Sequence, residues 1–207
     1  MKLIFESWNN FLNERLMLQP GANGWDKYAE LVGKAYLNAP MFEERAVPHF
    51  LALEPFIDRM FDRISGKIDI EFVEHDPYEN VEQLKQDVHK NGIMKVSTIN
   101  YQHDIFDPLT NAKFRAIHDY MSHVTAIGSR GTQFTLFGEI QAYNVHLKTV
   151  PQKSVPALFT EVVGQVCAYY QLGHFAPQKI CLLDRFDYYN IGKVEGYDIV
   201  NKELVKK

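Results

Sequence analysis

Three segments of the sequence decide the predicted fold: FRAIHDYMSH at residues 114–123, FGEIQAYNVH at residues 137–146 and ALFTEVVGQ at residues 157–165. Projected at about 100° per residue, each segment places apolar side chains along one side, which predicts a helix. Each also carries polar side chains beside that apolar stripe, where a core helix normally has aliphatic ones. The three predicted helices therefore localise a polar site.

The polar residues of the first two helices are spaced so that they share one side of each helix. Asp119 and His123 are four residues apart and are expected to lie nearly one above the other. Glu139 and His146 are seven residues apart, which is two turns along one side of the second helix. Each helix is thus predicted to present an acid and an imidazole together.

The third predicted helix carries Glu161 and Gln165, four residues apart. An ionised carboxylate beside an apolar stripe is costly unless it is paired, hydrogen-bonded or bound to a metal. Glu139 and Glu161 lie on consecutive helices and are therefore predicted to share a partner. The candidate partners in these segments are His118, His123 and His146.

Two interpretations of this polar set remain open. In the first, His118, His123, Glu139 and His146 hold a divalent ion such as zinc, manganese or iron. In the second, the acids, imidazoles and amides form a buried network that only determines how the helices pack. The sequence has no HExxH or CxxC spacing that would favour the metal.

Composition is that of a globular protein with a sizeable core. The chain has 207 residues, 46% of them hydrophobic and 23% charged, and we predict a single globular domain over residues 15–200, with the motif helices at about 112–172. The net charge is −4, and lysines and arginines are scattered rather than clustered. There is accordingly no strong nucleic-acid signature.

Cysteine usage and hydropathy bear on the compartment. Cys167 and Cys181 have neither metal-ligand spacing nor a reason to pair, which favours a reducing setting over a disulfide framework. No apolar run is long enough to span a bilayer, and the N-terminus lacks the pattern of a secretory signal. We therefore expect a soluble protein without a membrane partner.

The predicted fold class is α+β and mainly helical, with a small βαβ sheet packed against a multi-helix bundle. Apolar residues at helical spacing predict helices at 25–37 and 41–64, the second with Pro48 and Pro55 at breaks or in first turns. Tyr28, Phe50, Phe56 and Phe61 are predicted to be core residues.

Alternating apolar residues predict strands at 68–73 and 94–99 on either side of a helix at 81–89. Strand, helix and strand with short joints form a βαβ unit, so the two strands are expected to be parallel. Asn111 is predicted to cap the first site helix. The end of the chain from residue 198, including a polar tail at 201–207, is predicted to be frayed.

Residues 1–14, MKLIFESWNNFLNE, form a short amphipathic segment. One interpretation is an N-terminal helix that packs on the domain. The segment also resembles the capsid-targeting leaders of internal head proteins in contractile-tailed phages, which a prohead protease cuts after a glutamate. That resemblance implies cleavage after Glu14 and contact with the phage capsid or the prohead protease.

The motif order carries a second resemblance. KFRAIHDYMSH, then Gly138-Glu139 with Ala142 to His146, then Thr160-Glu161 with Gly164-Gln165 is similar to an uncharacterised family of phages and mobile elements. Its pattern is FRAVHDxxGH, GExxAxxxH and TExxGQ, and the likeness covers most of residues 45–185. Ser122 stands where the family more often has glycine. The matching positions are His118, Asp119, His123, Glu139, His146, Glu161 and Gln165.

These observations lead to two hypotheses about function. The first is a metal-dependent hydrolase that acts on a phosphoester or nucleotide, with Glu161 as general base or supporting acid, Asp119 orienting a histidine and Gln165 beside them. His118-Asp119 is also the doublet of HD phosphohydrolases, although that family's other ligands have no clear counterparts here. The alternative is a non-enzymatic internal virion protein that binds a host factor. Either would reside in the virion interior or the host cytoplasm.

Overall fold

The computed structural model describes residues 23–99, 102–125, 132–194, 196–200 and 203–207. The predicted leader at residues 1–14, with its cleavage site, lies outside the described residues. The first described part is helical, and Pro48 and Pro55 each occupy the first turn of a helix, where a missing N–H costs nothing. The elements are α1 (Asn23–Asn38), a 3-10 turn (Glu44–Ala46), α2 (Val47–Leu51) and α3 (Glu54–Ser65).

The predicted βαβ unit is confirmed. Strand β1 (Asp69–Val73) pairs in parallel with β2 (Ile93–Ser97), in a register that sets Asp69 opposite Ile93. Between them are α4 (Val81–Gln86) and a wider turn of helix (Asp87–Asn91). Gly92, with φ of 68°, ends that helix in the left-handed region that glycine adopts without strain.

The site helices follow the sheet. They are α5 (Pro108–His118) with a wide turn (Asp119–Val124), α6 (Leu136–His146), then α7 (Val155–Leu158), a second wide turn (Phe159–Gly164) and α8 (Gln165–Leu172). The predicted cap of α5 is wrong, because Asp107 accepts the hydrogen bond from the Thr110 N–H at 2.9 Å. Asn111 lies one turn further on, where its side chain donates to Gln178.

The wide turns after α5 and α7 alter which side chains share a helix face. In the first, the Thr125 N–H donates to the Tyr120 carbonyl, five residues back, at 2.9 Å. A turn closed by i→i+5 bonds carries residues five apart to nearly the same side, whereas an α-helix separates them by about 140°. His118 and His123 are five apart, so this turn decides their relationship.

Two clusters of apolar residues hold α5 in place. The larger cluster includes fully buried Tyr28, Phe50 and Phe56, as predicted, while Phe61 is only partly buried at its margin. The smaller cluster lies between the sheet and the site helices. Its buried members are Leu84, Val88, Met94, Val96, Ala116 and Val124. Because α5 contributes to both clusters, its polar face is fixed between them.

Glycines permit close contacts between helices around the third site helix. A Cβ atom at Gly164 would lie 2.8 Å from Tyr36 Cδ2 and 3.1 Å from Leu183 Cδ1. A Cβ atom at Gly33 on α1 would lie 2.6 Å from the Cys167 carbonyl of α8. Helix α1 therefore packs closely against the segment that carries Glu161.

The end of the chain differs from the prediction. Strands β3 (Tyr197–Val200) and β4 (Glu203–Lys206) pair antiparallel, so this stretch is a hairpin rather than frayed. The backbone hydrogen bonds between the two strands order this stretch although its composition is polar. Both cysteines are buried free thiols. No helix in the described ranges is both long and apolar enough to cross a membrane.

Candidate functional site

His118, His123 and Glu139 converge between α5, its wide turn and α6. His118 Nε2 lies 3.0 Å from Glu139 Oε2 and 3.1 Å from His123 Nε2, and His123 Nε2 lies 3.5 Å from Glu139 Oε1. The side chains of His118 and Glu139 are 17% and 15% exposed, while that of His123 is 1% exposed. The cluster thus combines a buried histidine with two side chains that solvent reaches in part.

These separations are hydrogen-bond and ion-pair distances, and they are also compatible with ligand atoms around one metal ion. Atoms bonded at about 2.0–2.2 Å to a tetrahedral ion lie about 3.3–3.6 Å apart, and neighbouring atoms of an octahedral shell lie about 3 Å apart. The observed distances of 3.0, 3.1 and 3.5 Å fall in this range. Two imidazoles and one carboxylate are also a donor set that zinc, manganese and iron accept.

Thr132 sets the tautomer of His123. The Thr132 carbonyl lies 3.1 Å from His123 Nδ1, and a carbonyl can only accept, so Nδ1 carries the proton. The Thr132 hydroxyl also lies 2.9 Å from Nδ1. The backbone N–H of Thr132 donates to the Ser122 carbonyl at 2.8 Å. When His123 is neutral it therefore presents the lone pair of Nε2 to His118 and Glu139, and when it is protonated Nε2 donates to Glu139.

A second carboxylate stands beside the histidines. His118, Asp119 and His123 each offer a ligand atom, and these atoms lie within 4.8 Å of one another, so this cluster could hold a metal ion. Burial raises the pKa of the Asp119 carboxyl, and the nearby charges of His123 and His118 only partly offset that effect. Two acids therefore face the same pair of imidazoles.

Glu139 and His123 shift each other's pKa values. Burial alone would raise the pKa of Glu139, but hydrogen bonds from His118 and His123 lower it to about 2. Burial alone would lower the pKa of His123, but the hydrogen bond and charge of Glu139 raise it. Glu139 is therefore ionised at neutral pH, which is the form that binds a metal.

His146 lies behind His118. It is fully buried, its ring is stacked on that of His118 at 5.4 Å, and its Nε2 atom is 3.1 Å from Ser122 Oγ. Burial lowers its pKa well below the ordinary range, and the charges of His118 and His123 lower it further, so it is neutral. Its Nδ1 atom has no hydrogen-bond partner within the described residues. The role of His146 as fourth ligand stays a prediction.

Glu161 lies in a separate polar cluster. Its Oε2 atom accepts from Gln165 Nε2 at 2.8 Å and from Gln178 Nε2 at 3.4 Å, and its Oε1 atom is 3.8 Å from His103 Nε2. Gln178 in turn accepts from Asn111 at 3.1 Å. The side chains of Glu161 and His103 are 2% and 0% exposed, so the acid and the imidazole of this cluster are closed to solvent, while Gln165 and Gln178 are half-buried.

The structure therefore does not bear out a partner shared by Glu139 and Glu161. Glu139 contacts His118 and His123, whereas the residues around Glu161 are those of the second cluster. Both acids border α5, but at different places along it. Arg115 of α5 donates to the carbonyls of Ser97 and Ile99 at 3.2 and 2.6 Å. Burial lowers the pKa of its guanidinium, and the charges of Asp119 and Glu161 oppose this.

Sequence reasoning missed three residues of these clusters. His103 lies in a turn, where its Nδ1 accepts from the N–H groups of Ile105 and Phe106, and its other nitrogen faces Glu161. Thr132 and Gln178 had no pattern at all that would have identified them. Each of these three residues lies in a loop, where side chains follow no regular period.

Comparison with protein-family models, with curated proteins and with solved structures found no match for this chain. Function must therefore be argued from the cluster itself.

Proposed function

We propose that this protein is a metal-dependent hydrolase that acts on a phosphoester or nucleotide, with the ion held by His118, His123 and Glu139. The observation that carries the proposal is the convergence of their three ligand atoms at separations of 3.0, 3.1 and 3.5 Å. A structural role alone would not require solvent to reach two of these side chains in part. Catalytic metal sites keep a position open for water or substrate.

The surrounding residues suit this role. Thr132 orients His123, as residues next to metal ligands commonly do. Asp119 is the candidate general base, because burial raises its pKa towards the range in which a carboxylate exchanges protons with a substrate or water. When bound, a divalent ion would polarise a phosphoryl oxygen and lower the pKa of water. We propose that Glu161 and Gln165 stabilise the packing of the helices and take no part in proton transfer.

Metal content tests the proposal directly. Purified protein, mildly dialysed, is expected to retain near-stoichiometric zinc, manganese or iron, and to cleave a chromogenic phosphodiester or a nucleotide. Glu139→Gln and His118→Ala should lose both metal and activity while keeping the circular dichroism of the wild type. Glu161→Gln is the matched control, because it alters a buried glutamate of the other cluster and should keep its metal.

Failure of the wild type to bind any of these metals, even after they are added back, would overturn the proposal. Retention of metal by both ligand variants would do the same. His146→Ala, measured beside them, determines whether a fourth histidine contributes to affinity.

A second candidate function is a non-enzymatic internal virion protein that binds a host factor. The observation that supports it is the Glu161 cluster, in which a carboxylate and an imidazole are buried away from solvent. The likeness of residues 1–14 to capsid-targeting leaders supports packaging in either case. Mass spectrometry of protein extracted from particles should then find a chain that begins at Arg15, whereas an intact leader would count against packaging.

A further inference from the structure

An exposed aromatic side chain borders the His118–His123–Glu139 cluster, and a second lies on the helix packed against α6. The Phe134 ring lies 4.7 Å from the His123 ring, nearly perpendicular to it at 79°, and Phe134 is 38% exposed. Tyr170 is 47% exposed and lies on α8, which packs against α6. Burial and the charge of Glu139 raise the pKa of the Tyr170 hydroxyl, while the Leu136 N–H lowers it. Phe134 therefore borders the ligand His123, and Tyr170 belongs to the helix next to that of Glu139.

Phe134 leaves apolar surface in solvent beside a polar cluster. A phenylalanine next to buried His123 would gain free energy by turning inward, yet more than a third of its surface stays in solvent. Aromatic side chains at the edge of a ligand site commonly provide a flat surface for the flat part of a ligand. Phe134 and Tyr170 are placed to do so here.

We infer that the substrate of this site carries a planar aromatic base that stacks on Phe134 and reaches Tyr170, which makes it a nucleotide or a nucleotide phosphoester. The inference rests on the proposed function and specifies its substrate class. A base has two π faces and a polar edge, and it matches a surface that combines one wholly apolar ring with one that ends in a hydroxyl.

Base stacking of this kind predicts how much affinity is lost when one of the rings is removed. Removing one aromatic side chain from a base-stacking site weakens binding by about 1–3 kcal/mol, which is about 5- to 100-fold in affinity. The effect should fall on the base and leave the phosphate unchanged. A phosphorylated sugar without a base would therefore be insensitive to the rings.

The experiment compares two ligands that share the same phosphorylated ribose. Binding of adenosine 5′-monophosphate and of ribose 5-phosphate to the metal-loaded protein is measured by isothermal titration calorimetry. The nucleotide should bind at least tenfold more tightly. Phe134→Leu and Tyr170→Leu should each reduce its affinity about 5- to 100-fold and leave that of ribose 5-phosphate unchanged.

Phe72→Leu is the control, because Phe72 is an exposed ring, 37% accessible, that stacks on Phe61 instead. Equal affinities for the two ligands, or equal losses for both in Phe134→Leu, would overturn the inference while leaving a phosphoester hydrolase intact. If the protein binds no metal, the proposed function fails, and titration of metal-free protein with uncharged adenosine decides the inference separately. Binding that Phe134→Leu weakens and Phe72→Leu does not would support it, and no binding would overturn it.

Discussion

The Nε2 atoms of His118 and His123 lie 3.1 Å apart. The Thr132 carbonyl keeps a proton of His123 on Nδ1, so that Nε2 of the neutral imidazole offers a lone pair. A second lone pair from His118 at this distance would repel the first, and the two nitrogens therefore need either a proton or a cation between them. A divalent ion satisfies both nitrogens and Glu139 at once.

Metal removal should lower thermal stability. An ion that binds only the folded protein stabilises it, by about 2.7 kcal/mol when its free concentration is about 100 times Kd. Calorimetric scans of metal-loaded and chelator-treated protein should therefore differ in Tm. Glu139→Gln should show the same Tm in both states, and an equal shift in that variant would contradict the assigned ligands.

Thr132→Val should weaken metal binding without unfolding the protein. The substitution removes the hydroxyl that lies 2.9 Å from His123 Nδ1 but keeps the carbonyl, so we expect a loss of about tenfold, at the lower end for residues that orient a ligand. Competition with a chromophoric chelator measures the affinity. Thr132→Ser keeps the hydroxyl and should bind like the wild type. A Val variant with unchanged affinity would show that the carbonyl alone suffices.

The metal-free protein should lose stability in acid through Glu139. Its pKa is about 2 in the folded protein, below the ordinary value of 4.5, so its contribution is fully present above pH 4.5 and disappears as the pH falls through 2. The shift corresponds to roughly 3 kcal/mol as an upper bound, since solvent reaches part of the side chain.

The measurement is the free energy of urea unfolding for wild type and Glu139→Gln between pH 2 and pH 6. The advantage of the wild type should shrink as the pH falls below 4.5. A difference that stays constant over that interval would show that Glu139 has an ordinary pKa.

Glu161→Ala should reduce stability and leave metal binding unchanged. The truncation deprives the Gln165 and Gln178 amides of a buried acceptor and leaves His103 facing a void, which should cost about 3 kcal/mol in urea unfolding. Glu161→Gln keeps the shape and should cost less. Loss of metal from a fully stable Glu161 variant would instead place this acid in the metal site.

Gly164→Ala should destabilise the packing of α1 against the second wide turn. The added methyl group would lie 2.8 Å from Tyr36 Cδ2, closer than carbon atoms approach, so we expect a loss of about 1–3 kcal/mol. Gly66→Ala is the control, because its methyl group would meet only the Asp62 carbonyl at 3.4 Å. Equal stabilities for the two variants would contradict the close approach.

Much of the fold follows from local patterns. The helices, the two strands of the βαβ unit and their parallel pairing were predicted because burial imposes a period of 3.6 on helices and of 2 on strands. The polar character of α5, α6 and the Glu161 segment was also visible, since polar residues stood where a core helix has aliphatic ones. These features depend on neighbours in the sequence.

The grouping of the polar residues was decided by the tertiary structure. An α-helical projection separates His118 from His123, and the wide turn after α5 brings them together. Glu139 and Glu161 look equivalent on their helices, yet solvent reaches the first in part and the second is buried in another cluster. Thr132, His103 and Gln178 reach these clusters from loops, whose side chains follow no period. A sequence specifies which faces are polar through local spacing, whereas partners are chosen by contacts between residues far apart in the chain, which exist only once the helices have packed.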